Sequence, residues 1–171
     1  MIGLVGYPRS GKDTIAALLV RKHSYQRMAF GDKVKELLLA TDPVYGDDIR
    51  RLEDYKDRDV HDTRGKLQRL GQTLRDWDPD FWVSSAEVPS GDLVVVSDIR
   101  YPNEARWVTE QGGVLVGVER PERGPVNDHE SEKNTELLLQ ETDFLICNSG
   151  TLEDLEAASD RLAEYLLLVD A

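Results

Sequence analysis

The sequence predicts an α/β protein built on a parallel sheet with helices on both faces. Two observations lead there. Apolar runs of strand length recur at "MIGLV", "LVVVS", "VLVGV" and "FLICN", each bounded by glycine, aspartate, asparagine or proline. They are continuously apolar, which marks strands buried on both faces. Between them lie stretches with helical spacing, so strands and amphipathic helices alternate along the chain, the pattern of a sheet with crossover helices.

Taken in order, "MIGLV" opens the sheet, and Ile15, Leu18 and Leu19 give the following helix one apolar stripe. A weaker strand is expected near Tyr25 to Ala29. From Thr41 to Val88 no strand pattern stands out, and the segment reads as helices and loops inserted between two strands. Its charged stretch "GDDIRRLEDYKDRDVHD" mixes signs, as in a solvated helix or a flap. The strands "LVVVS", "VLVGV" and "FLICN" follow, and Leu152, Leu155, Leu162 and Leu166 mark a last helix. No repeat, low-complexity tract or linker interrupts this order.

With 171 residues and 40% hydrophobic content, the chain can bury a core as one domain. Twenty-one basic against 33 acidic residues leave a formal charge of −12, which opposes binding to a nucleic-acid polymer. A small phosphorylated ligand needs only a local positive pocket. The single cysteine, Cys147, rules out an internal disulfide framework and suits a reducing compartment. It is expected to be a small buried residue and not a nucleophile. "MIGLVG" offers no basic leader, and no later run approaches membrane length. The expectation is a soluble intracellular protein with no membrane partner.

"GYPRSGKDT" carries the sharpest signal. Gly6-x-x-x-x-Gly11-Lys12 sits between an expected strand and an expected helix, the context a phosphate-binding loop requires. Glycines let backbone N–H groups turn toward phosphate oxygens, the helix N-terminus adds partial positive charge, and Lys12 can span the terminal phosphates. Gly6, Arg9, Ser10, Gly11, Lys12, Asp13 and Thr14 are therefore the candidate set for a donor nucleotide. Asp13 stands where Ser or Thr usually places its hydroxyl on Mg²⁺. A carboxylate is also a hard oxygen ligand and suits the first turn of a helix. Asp13 and Thr14 are both candidate metal contacts, and the sequence does not choose between them.

Three further segments supply positive or polar groups. In "DIRYPNEARW", Asp98 falls at the C-terminal end of a strand, where ligands gather in open α/β sheets, and Arg100 is placed for a bidentate phosphate contact. An N-cap and a surface ion pair are the plainer readings of these two. In "TRGKLQRLGQTLRDWDPDFWV", helical spacing puts Leu67, Leu70 and Leu74 on a buried stripe. Arg64, Gln68, Gln72 and Arg75 then share a neighbouring face. Carboxamides can pair with a base edge and arginines can hold a monophosphate. Phe81 and Trp82 suit a base pocket or a core. In "ERPERGPVNDHESEK", Arg120 and Arg123 occupy a Pro- and Gly-rich loop suited to a lid over transferring phosphate. His129 receives no catalytic role.

These segments, with "FGDKVKE", "GGVLVGVERP" and "DFLICNSGTLEDL", occur in the order seen in bacteriophage-type deoxynucleoside monophosphate kinases, which the chain resembles over nearly its whole length. It also looks like a relative of dephospho-coenzyme A kinase. The resemblance implies a P-loop kinase fold: three α/β/α layers on a five-stranded parallel sheet, one domain over 1–171, a helical substrate-binding insert at 41–88 and a lid at 120–132. It implies transfer of the γ-phosphoryl of ATP, with Mg²⁺, to a deoxynucleoside 5′-monophosphate (dNMP), in the cytoplasm of a phage-infected bacterium. Asp13 agrees with the family's loop. Asp32 and Lys35 would reach the acceptor side; Gln68, Gln72, Arg75, Trp82, Asp98 and Arg100 would bind the acceptor; Arg120 would belong to the lid. Lys12, Asp98, Arg100 and Arg120 would carry catalysis. The turn Asn148 to Thr151, with Asn148 and Gly150, would lie near the donor adenine. A homodimer stays open.

Two other classes compete. A nucleotide switch or ATPase should show "NKxD" or a strand ending in Asp-Glu, where this chain has "CNSG" and "VVSDIR". A kinase for dephospho-coenzyme A or phosphomevalonate would share the loop and lid.

Overall fold

The structure is a computed structural model, and it describes residues 1–41, 62–121, 123–125 and 130–169. In chain order its elements are β1 (Ile2–Val5), α1 (Lys12–His23), β2 (Gln26–Met28), α2 (Phe30–Thr41), α3 (Thr63–Trp77), α4 (Phe81–Ser84), β3 (Val94–Ile99), α5 (Pro102–Glu110), β4 (Val114–Glu119), α6 (Glu130–Gln140), β5 (Phe144–Cys147) and α7 (Leu152–Val169). All five expected strands are present. The chain divides into two compact units: Met1–Ala29 with Glu87–Ala171, and Phe30–Ala86.

The first unit holds the whole sheet, in the order β2-β3-β1-β4-β5. Every neighbouring pair is parallel. Central β1 is buried at all four positions because it pairs on both edges, Ile2 opposite Val95 on one side and Val114 on the other. One layer packs Ile2, Leu4, Val95, Val116 and Val118 against Ile15 and Leu19 of α1 and Leu155 and Leu162 of α7. Fully burying a leucine such as Leu4 or Leu19 stabilises the fold by about 1.5–3 kcal/mol. The opposite face follows from the pleat: the missing side chain of Gly3 leaves room for Leu115, Ile99 and Val108, and that of Gly117 for Leu139 of α6. The sheet is thus covered from both sides, as the continuously apolar strands predict.

At the sheet edge the expectation fails. β5 alternates between half-buried and exposed positions, and Cys147 is exposed where a buried residue was expected. An edge strand pairs on one side only, and here Leu145 and Cys147 point to the less covered face, with Leu145 57% exposed. Within the last helix Leu155 and Leu162 are buried, but Leu152, its first residue, is exposed. Charged side chains also join α1 to α7: Lys22 pairs with Asp160 at 2.6 Å and Glu156 at 3.0 Å, and His23 with Asp160 at 2.8 Å.

The second unit is helical. Val34 of α2 lies against Gly71 of α3, and Trp82 of α4 donates its indole N–H to the Gly71 carbonyl at 3.0 Å. Trp77, Phe81 and Trp82 form a short aromatic row. Leu67, Leu70 and Leu74, expected as a buried stripe, are only half-buried, and the buried positions of α3 are Thr63 and Gly71. Burial on this helix centres on the Gly71 backbone, where Trp82 donates to the carbonyl and Val34 approaches. Residues 42–61, with all but the last residue of the charged stretch, lie outside the described residues, as do 122 and 126–129 of the expected lid, including His129.

Candidate phosphate-binding site

Parallel strands put all their C-terminal ends at one edge of the sheet, and four segments leave from that edge in the first unit. The loop Gly6–Gly11 follows β1, Asp98 and Arg100 end β3, Arg120 follows β4, and Asn148 follows β5.

The loop is tight. Ser10 N donates to the Tyr7 carbonyl at 3.1 Å, and two residues take left-handed backbone, Arg9 at φ 66° and Gly11 at φ 109°. A Cβ on Gly6 would stand 2.5 Å from the Val118 carbonyl and 2.7 Å from Ser10 Oγ, so only glycine fits. Gly11 is the N-cap of α1 and no side chain caps that helix, which leaves its first N–H groups to an external acceptor. Lys12 is 4% exposed, and its Nζ donates to the Tyr7 carbonyl at 3.4 Å, folding the ammonium back over the loop. Ser10 Oγ is buried with no hydrogen-bond partner among the described residues. An uncapped helix, a buried lysine and an orphaned hydroxyl around glycines fit a polyphosphate. Asp13 is exposed in the first turn and Thr14 half-buried, so either oxygen fits a cation carried by that phosphate.

Asn148 locks this loop to the last strand. Its Nδ2 donates to the Ser10 carbonyl at 2.8 Å, while its backbone N–H extends the β4–β5 ladder to the Glu119 carbonyl at 2.7 Å. Gly150 lies in the exposed turn beside Asp154, which accepts from the backbone N–H and hydroxyl of Thr151. Those bonds hold the Asp154 carboxyl below its ordinary range.

Asp98 is half-buried within β3 and does not cap α5. The carboxylate at that helix start is Glu104, 1% exposed, which accepts from Arg100 N at 2.8 Å and Tyr101 N at 3.1 Å. The Arg100 guanidinium faces Glu132 at 3.8 Å. Arg120 is exposed, and its carbonyl accepts from Arg123 N at 2.8 Å in a turn that opens the expected lid. Burial first, then the charges of Glu136, Glu132 and Glu119, push the Tyr7 hydroxyl above the ordinary tyrosine range.

In the second unit, Lys35 pairs with Asp32 at 3.0 Å in the first turns of α2. Gln68, Gln72 and Arg75 are half-buried on α3; Gln72 donates to Asp76 at 2.9 Å, and the Arg75 guanidinium folds back over Gly71. Trp82, 2% exposed, shapes this helix pair from inside.

Sequence reasoning missed Glu104, Glu132 and Tyr7. Glu104 was legible, since a glutamate three residues after the residue that starts a helix is capping-box spacing. Glu132 carried no signal, because a buried glutamate in "HESEK" looks like a surface one.

A model of the AAA domain family matches residues 2–123. A protein of Acanthamoeba polyphaga mimivirus named "Putative deoxynucleotide monophosphate kinase" is 28% identical over 181 residues, spanning 90% of this chain and 91% of that one. Two solved structures share the fold at a TM-score of 0.50. They are shikimate kinase from Aquifex aeolicus, 13% identical over 96% of this chain and 95% of its own, and dephospho-CoA kinase from Campylobacter jejuni, 10% identical over 99% and 98%.

Proposed function

The chain belongs to the AAA domain family, and from that premise we propose that it is a nucleotide kinase that moves the γ-phosphoryl of ATP to a deoxynucleoside 5′-monophosphate. The observation that carries the reading is the gathering of Lys12, Asp98, Arg100, Arg120 and Asn148 at the same edge of one parallel sheet. A loop for a donor polyphosphate and cations for a second anion are what transfer between two nucleotides needs. The mimivirus relative's name supports the choice of acceptor.

In this reading the loop N–H groups and Lys12 bind the β- and γ-phosphates, and Asn148 and Gly150 border the donor adenine. Asp13 or Thr14 would hold Mg²⁺, which when bound would neutralise charge between the phosphates. Arg100 holds the acceptor phosphate, with Asp98 orienting it, and Arg120 closes from the lid at 120–132 to exclude water. Asp32, Lys35, Gln68, Gln72 and Arg75, on the scaffold that Trp82 sets, are assigned to the acceptor nucleoside and its phosphate. The acceptor oxygen is already anionic at neutral pH, so no strong general base is required. Rate acceleration comes from in-line placement and from Lys12 and the arginines offsetting charge on the equatorial oxygens.

The test is ADP release from ATP across the common deoxynucleoside and ribonucleoside monophosphates, dephospho-coenzyme A and phosphomevalonate, with Lys12→Ala as the inactive control. Acceptor-dependent release with deoxynucleotides is expected. Release that needs no acceptor, or occurs only with the other classes, would overturn the proposal.

A further inference from the structure

We propose that Glu132 is a positioning residue that pre-orients Arg100 for the acceptor phosphate. The inference rests on the reading of Arg100 given above and extends it to Glu132, to which that mechanism gives no role of its own.

Glu132 is 4% exposed in the first turn of α6, with Ser131 and Thr135 also buried beside it. A carboxylate taken out of water is costly unless cations or donors compensate it. The N-terminal turn of an 11-residue helix offers partial positive charge, and Arg100 Nη1 at 3.8 Å offers a full one. That separation is longer than a hydrogen bond, so the pair is electrostatic and leaves the guanidinium donors uncommitted by it.

Arg100 is restrained at both ends. Its backbone N–H is held by the buried Glu104 carboxylate at 2.8 Å, and its guanidinium faces the buried Glu132. The side chain keeps 38% exposure, so the outer edge of the fork remains within reach of a ligand. A planar bidentate grip on phosphate depends on holding the plane of the fork, and ordering it in advance removes an entropic cost from binding.

Steady-state kinetics on the intact chain test this, with Glu132→Gln, Glu132→Asp, Arg100→Ala and the Glu132→Gln/Arg100→Ala double variant. Glu132→Gln should raise the acceptor KM about 3- to 10-fold, the range for freeing one long side chain, with the ATP KM unchanged. Glu132→Asp should recover part of that loss. The double variant should be no worse than Arg100→Ala, since the carboxylate acts through the arginine. Arg100→Lys, which leaves Glu132 in place, should raise the acceptor KM at an unchanged melting temperature. An acceptor KM within twofold of the parent, a fall in that KM, additive losses in the double variant, or an equal rise in both KM values would each overturn the inference. A parent protein with no activity on any monophosphate would instead sink the kinase reading, and this inference with it.

Discussion

The side chain of Asn148 donates to the backbone carbonyl of Ser10 at 2.8 Å, tying the end of the last strand to the loop that follows the first. The same Nδ2 would stand only 2.5 Å from a Cβ on Gly11, so the carboxamide packs directly on the N-cap of α1. The loop's shape is therefore set partly from 138 residues away in sequence. Asn148→Ala should raise the ATP KM about fivefold, the equivalent of one net hydrogen bond of about 1 kcal/mol. The acceptor KM should not move. A loss shared equally between the two substrates would show that Asn148 supports the fold and not the donor loop.

Gly6 makes a sterically defined prediction. The added methyl of Gly6→Ala would meet the Val118 carbonyl and Ser10 Oγ, one of them backbone of a buried strand that cannot swing aside. Overpacking of this kind costs about 1–3 kcal/mol. In a chain of this size that lowers the melting temperature by on the order of 3–10 °C, with ATP binding weakened in parallel. Gly124→Ala, where a Cβ would meet nothing within 4 Å, is the matched control and should melt like the parent. Equal melting of the two variants would refute the packing account.

Most of the fold was legible in the sequence because burial on both faces leaves an unbroken apolar run, and "MIGLV", "LVVVS" and "VLVGV" have one. Even the weaker strand near Tyr25 appears, as Gln26–Met28. "FLICN" looked the same but lies at the edge, and nothing in a local window tells an edge strand from a central one. Hence the exposure of Cys147 was missed. The loop was legible because its backbone demands particular residues, glycine at 6 and 11. The α3 stripe misled because Leu67, Leu70 and Leu74 have the right period, while the contact is made at Gly71, which adds nothing to a hydrophobic pattern. Glu132 and Arg100 are 32 positions apart, and such long-range pairs are set by topology and leave no spacing to read.

Gly71 separates stability from binding. It lies inside α3, where replacing glycine by alanine gains up to about 1 kcal/mol of helix propensity. The nearest neighbour of the new Cβ is Arg75 Nη1 at 3.3 Å, the far end of a flexible side chain, and Val34 is at 4.0 Å. Gly71→Ala should therefore raise the melting temperature by a few degrees, while displacing the Arg75 guanidinium and raising the acceptor KM. Thermal melts and acceptor titrations on the same preparation check both signs. A variant that is more stable with an unchanged acceptor KM would remove Arg75 from the acceptor site.

The clamp between α1 and α7 sets a pH dependence whose direction follows from its charges. Hydrogen bonds from Lys22 and then His23 hold the Asp160 carboxyl below its ordinary value of 3.8, and Asp160 and then Glu156 raise the Lys22 ammonium above 10.5. A depressed carboxyl contributes stability above its unfolded value and loses it as the pH falls through the folded one. A raised ammonium contributes below its unfolded value and loses it as the pH rises past the folded one. The pair is therefore at full strength from about pH 4 to about pH 10. Asp160→Asn should lower the melting temperature at pH 7 and low salt by only on the order of 2 °C, because the Lys22 and Asp160 side chains lie near the surface, 33% and 31% exposed, and are screened. The gap between parent and variant should narrow as the pH falls below 3.8 and close once it has passed the depressed folded value, and it should also close in 1 M salt at pH 7. A gap that stays undiminished both in acid and in 1 M salt would mean that Asp160 acts through packing and not through its charge.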